Sequence, residues 1–180
     1  VYSELIPWDA PVEKLNHLKV KAFVLSGGPS SVYEDGAPTL PAYVVNSGLP
    51  ILGICYGMQL LTHTLGGRVE ASGEREYGHA ILNLSEGTNP LLKGLPGSLT
   101  VWASHGDKVT QLPPGFRGIA QSDNAPVAIM TDGAKYYGIQ FHPEVVHTPQ
   151  GDTLIRNFLF EVAGCAGDWT AGNFVEESVR

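Results

Sequence analysis

The segment Leu49-Pro50-Ile51-Leu52-Gly53-Ile54-Cys55-Tyr56-Gly57-Met58-Gln59 constrains the fold more than any other part of the chain. Its apolar start reads as a buried strand, and Met58, Leu61 and Leu65 then recur at helical spacing until Gly66-Gly67 stops the helix. Cys55 therefore stands at a strand-to-helix junction, between two glycines that let the backbone turn sharply. The spacing matches the G-x-S-x-G elbow, which lifts a nucleophile out of a sheet. Unpaired N–H groups and a partial positive charge at a helix start favour a thiolate and can bind an oxyanion. A lone cysteine after an apolar run is more commonly a small buried hydrophobe, so the reading depends on partners elsewhere in the chain.

A catalytic thiol needs a histidine base and a third group to orient it. Tyr136-Tyr137-Gly138-Ile139-Gln140-Phe141-His142-Pro143-Glu144 supplies both. Its aromatic and β-branched residues read as a strand that Pro143 ends, so His142 is displayed at the strand end with Glu144 able to return to the imidazole. In a parallel sheet the carboxyl ends of the strands share one rim, where Cys55 and His142 can meet. Residues 22–25 read as a short buried strand and 39–45 as a helix before Gly48. Shorter strands are expected at 69–71, 80–84, 99–102, 119–120, 127–130 and 136–141. Thr148 fits the N-cap of a final helix, with Pro149 at its first position. This order implies an α/β fold: a mostly parallel central sheet flanked by helices, with antiparallel strands added by a β-rich second half.

Further blocks lie around these two. They are Leu25-Ser26-Gly27-Gly28-Pro29-Ser30-Ser31, Gly73-Glu74-Arg75-Glu76-Tyr77-Gly78, Ser104-His105-Gly106-Asp107, and His142-Pro143-Glu144-Val145 followed by His147-Thr148. With them the chain resembles class I, triad-type glutamine amidotransferases, and more narrowly the glutaminase domain of GMP synthases. The resemblance runs in family order over essentially the whole sequence. It implies that Cys55 attacks the side-chain amide of glutamine, that His142 carries the protons and that Glu144 holds the imidazole. The backbone N–H groups of Tyr56 and Gly28 form the expected oxyanion hole, the missing side chain at 28 allowing close approach. By resemblance alone, Gln59 and the Ser104-His105-Gly106-Asp107 loop hold the amino-acid end of glutamine, Ser104 by side chain or by backbone only. The ammonia would then serve ATP-dependent amination of XMP to GMP by an ATP-pyrophosphatase (synthetase) domain, fused or separate. No cofactor is expected in the present domain, ATP and Mg belonging to the synthetase domain, and any oligomer would form through regions outside this sequence.

Residues 1–168 are read as the amidotransferase domain and 169–180, from Trp169-Thr170, as the start of a linker. Family domains open with a strand, a D-F-G-S-Q-type turn and a helix, and this sequence begins after them, at Val1-Tyr2-Ser3. Two other readings remain: the glutaminase component of an anthranilate or aminodeoxychorismate synthase, against which the R-E-Y-G and S-H-G-D blocks argue, and an inert binding fragment, disfavoured by the intact triad.

Composition narrows the partners. At 180 residues and 43% hydrophobic the chain can bury one good core. A net charge of −7, with 11 scattered Lys and Arg, leaves no basic footprint for nucleic acid. No apolar run reaches the ~20 residues that span a bilayer, and a cytoplasmic location is expected. Cys55 and Cys165 do not make a disulfide framework, and Cys165, after an apolar helix face, reads as filler. The glycine turn at 27–28 lacks the lysine of a P-loop. No metal is expected at His142, Glu144 and His147, because Pro143 prevents a helical i, i+4 presentation. Glu74-Arg75 would ordinarily be a solvated face, and only the resemblance suggests an interdomain contact there.

Overall fold

The computed structural model describes residues 1–85 and 87–170, without the side chains of 74–76. The expected Glu74-Arg75 contact and the linker beyond residue 170 lie outside the described residues. Among the described residues seven strands form one sheet: β1 (Phe23–Leu25), β2 (Ile51–Ile54), β3 (Arg68–Leu84), β4 (Ser98–Gln111), β5 (Arg117–Gln121), β6 (Ile129–Thr131) and β7 (Tyr136–Ile139). Their order is β1-β2-β7-β6-β5-β3-β4. The helices are α1 (Ala42–Asn46), α2 (Tyr56–Thr64) and α3 (Gly151–Asn157), the last continued by a π-helical turn, Phe158–Val162. This is the α/β class expected. Its parallel part is β1, β2 and β7, which carries the elbow and the histidine strand, and the remaining pairings are antiparallel.

Strand periodicity explains how both faces of the sheet are covered. Successive residues of β2 point to opposite sides. Ile51 joins Met58 and Leu61 of α2, with Met130, in one core, whereas Leu52 and Ile54 join Tyr137, Leu154 and Phe158 in the other. α2 thus packs on one face and α3 with its π turn on the other. Gly53 points to the α2 side, and this is why position 53 is bare: a Cβ there would stand 2.5 Å from the Gly57 carbonyl.

Three expectations are corrected. Residues 22–25 are not a buried strand: β1 is an edge strand with β2 as its neighbour, and Val24 is 53% exposed. The segments 69–71 and 80–84 are not separate strands but the two ends of β3. Pairing with β4 continues between them across an irregularity, where β3 runs from Ala71 to Glu76 while β4 runs only from His105 to Asp107. Thr148 does not cap the final helix, whose N-cap is Gln150 and whose first residue is Gly151. Its hydroxyl is used otherwise, as described below.

Candidate active site

The backbone N–H of Cys55 donates to Ile139 O at 2.7 Å, so parallel pairing with β7 runs one residue past β2. Cys55 then turns to φ 51°, ψ −107°, the single positive φ outside glycine among the described residues. Such a conformation costs on the order of 1–3 kcal/mol and persists only where the surroundings enforce it. Here α2 begins at once with Tyr56, whose N–H belongs to the first turn and has no intrahelical acceptor. The Tyr56 phenol donates to Pro38 O at 2.6 Å, and burial first, then the charge of Glu34, pushes its pKa up, so it remains a neutral donor.

Gly27 forms the wall shared by thiol and imidazole. A Cβ there would lie 3.1 Å from His142 Cε1 and 3.6 Å from Cys55 Cβ. At Gly28 a Cβ would make ordinary 3.6 Å contact with the Tyr56 ring.

His142 Nδ1 and Glu144 Oε1 are 2.7 Å apart. The turn that presents them is stitched to β4. His142 N–H donates to Trp102 O at 3.0 Å, and Thr148 Oγ1 both accepts from Trp102 N–H at 3.0 Å and donates to His142 O at 2.7 Å. Thr148 is thus a clamp that helix-capping rules could not reveal. Gly151 abuts the same turn, since a Cβ there would overlap the Pro143 carbonyl oxygen at 1.8 Å.

The His142 pKa is raised from 6.5 to about 9, first by the neighbouring Cys55, against the opposing effect of burial, and then by Glu144. A raised folded-state pKa means that protonation favours the native state: the contribution is fully present below pH 6.5, declines above it and is lost as pH rises through about 9. Cys55→Ala is expected to move the His142 titration to lower pH, read from its Cε1–H shift by NMR. An unmoved midpoint would remove Cys55 as the principal cause.

Ser104, His105 and Asp107 are not in a loop but in β4. Alternation buries His105 and Asp107, while Ser104 belongs to the other set of positions. The backbone of Ser104 reaches Cys55: Sγ donates to Ser104 O at a long 3.7 Å, a contact open to the thiol only. Buried Gln59 on α2 donates from Nε2 to Asp107 O at 3.2 Å. Tyr33, which sequence reasoning missed, donates from its hydroxyl to Asp107 Oδ1 at 3.0 Å. No motif marks Tyr33, and only the folded glycine turn brings it there. His147 lies away from the pair, its ring 4.6 Å from Trp102 and 5.8 Å from His79. Among the described residues no group of three or more His, Cys, Asp and Glu is placed to hold a metal ion, and no helix is long and apolar enough to cross a membrane.

A strained cysteine at the head of α2 thus stands beside an imidazole paired with a carboxylate. The glutamine amidotransferase class-I model matches residues 1–162, and the chain belongs to that family. More narrowly, it is 53% identical over 180 residues to the GMP synthase [glutamine-hydrolyzing] of Dehalococcoides mccartyi and 55% identical to that of Thermomicrobium roseum. The alignments take in all of this chain and 34% of each relative, so the chain spans about a third of their length. Among solved structures, a putative GMP synthase subunit from Thermoplasma acidophilum superposes with a TM-score of 0.76 at 27% identity, over 98% of this chain and 84% of that one. A glutamine amidotransferase from Thermotoga maritima, 22% identical with a TM-score of 0.68 over 86% of this chain and 81% of that one, shares the fold.

Proposed function

We propose that this chain hydrolyses the side-chain amide of glutamine to glutamate and ammonia, with Cys55 as nucleophile, His142 as proton carrier and Glu144 orienting the imidazole. The observation that carries the reading is the convergence on one wall, at Gly27, of a cysteine held at φ 51° and an imidazole whose Nδ1 lies 2.7 Å from Glu144 Oε1. Sγ attacks the amide carbon, and the oxyanion is received by the N–H groups of Tyr56 and Gly28. Collapse of the tetrahedral species expels ammonia with a proton from His142 and leaves a thioester. Water then attacks the thioester as His142 accepts its proton, glutamate departs and the thiol is restored. Gln59, the Ser104 backbone, His105 and Asp107 line the end where the amino and carboxylate groups of glutamine are held. Identity of about half to the GMP synthases supports the further step, in which a synthetase domain uses the ammonia to aminate XMP at the expense of ATP.

The test is glutamate release from glutamine. His142→Ala is expected to lower turnover by roughly 10² to 10⁴, the usual worth of general acid–base assistance, and Glu144→Ala by less. A larger loss at Glu144 in single-turnover acylation, with folding intact, would reverse the assigned roles. A synthetase domain loaded with XMP and ATP should raise the rate about 5- to 150-fold, the range of ordinary allosteric coupling. Activation by another acceptor but not by XMP would move the chain to a different amidotransferase branch.

A further inference from the structure

One buried polar group has no role in the chemistry above. Gln140, between β7 and His142, is 1% exposed, and neither its Nε2 nor its Oε1 has a hydrogen-bond partner among the described residues. Its backbone is fixed, because its N–H donates to Ala128 O at 2.9 Å, so the amide cannot easily withdraw. Leaving both ends of a carboxamide unpaired in an interior is costly, and native proteins resolve such cases with ordered water. The amide borders a chamber of about 10 Å³, walled mainly by Ala80, Leu82, Val101 and Ala103, with His105 and Ser122 as its other polar walls. That volume is the size of one water site, and the two Gln140 amide atoms with His105 Nδ1 fall within the two to four partners that a buried water requires.

We propose that this chamber binds a single structural water hydrogen-bonded to the Gln140 amide, and that the water links the end of β7 to His105 on β4. Gln140 is then a positioning residue. Through the water it fixes the His105 segment of β4, whose neighbours are the Ser104 carbonyl beside Cys55 and the Asp107 carbonyl bound by Gln59. The effect on glutamine binding rests on the proposed glutaminase reading, whereas the water site itself does not.

Two measurements test the proposal on the full chain. A high-resolution crystal structure of the unmodified protein should show one water within hydrogen-bond distance of Gln140 Nε2 or Oε1. A chamber without it, or a direct protein partner for both amide atoms, would overturn the site whatever the activity. In steady-state assays, Gln140→Met, which keeps the volume and removes the amide, should raise the KM for glutamine about tenfold, the loss of roughly one hydrogen bond, with kcat little changed. Gln140→Glu, which keeps an acceptor, should recover part of the KM. An unchanged KM in a folded Gln140→Met variant would refute the positioning role. Absence of glutaminase activity in the unmodified chain and its synthetase complex would instead refute the functional reading and leave the crystallographic test standing.

Discussion

Cys55→Ala is expected to abolish glutamine-dependent turnover, with a loss on the order of 10⁴- to 10⁶-fold, because members of a nucleophile–base unit fail together rather than additively. If a synthetase domain uses the ammonia as proposed, synthesis from added ammonia should survive in the complete enzyme, since only the nitrogen source is removed. A second measurement separates chemistry from access. Cys55 is buried at 6% exposure, whereas Cys165 is only partly buried, so an indiscriminate thiol reagent should react first at Cys165. A glutamine-mimicking electrophile should do the reverse, labelling Cys55 and sparing Cys165, because binding and the adjacent imidazole outweigh exposure. Peptide mapping reads the outcome. Labelling that follows exposure would overturn the nucleophile assignment.

The parts of this site that could be read in the sequence are those whose geometry is local. Gly53, Cys55 and Gly57 declare a turn by spacing alone, and Pro143 ends a strand wherever it occurs, so Cys55, His142 and Glu144 were legible. Tyr33, Gly27 and Thr148 act through partners far along the chain: Asp107, His142 and Trp102. Nothing in the neighbouring residues announces those contacts. The same limit applies to β3. Apolar alternation reports burial, yet the middle and outer part of β3 is held by ladder hydrogen bonds to β4 while Tyr77 and Ile81 remain 63% and 64% exposed. A strand stabilised by its neighbour rather than by a core leaves a weak periodic signal, so only its two ends were expected. The Ser104–Asp107 segment looked like a loop because Ser, His, Gly and Asp are poor strand formers, but pairing with β3 overrides that preference.

Gly57→Ala should be the most destabilising single-methyl change in the elbow. A Cβ at Gly57 would stand 2.2 Å from Leu25 O and 2.7 Å from Leu25 Cβ, so backbone rather than a flexible side chain must yield. α2 can retreat only by leaving Ile51 and Met130, which Met58 and Leu61 cover. β1 can retreat only by breaking its pairing with β2, at the register Leu25↔Gly53. Overpacking typically costs about 1–3 kcal/mol and occasionally more, and here neither relaxation is cheap, so a loss at or above the top of that range is expected. Against a total stability of about 5–15 kcal/mol, that is a large fraction. Gly97→Ala is the control, since its Cβ would meet nothing within 4 Å among the described residues. Urea unfolding should show a clearly lower midpoint for Gly57→Ala and little change for Gly97→Ala. Any folded Gly57→Ala protein should also lose glutamate release, because moving α2 removes the constraint that holds Cys55 at φ 51° and carries the Tyr56 N–H with it. Equal midpoints and equal rates for the two variants would show that contact between α2 and β1 does not set the cysteine's conformation.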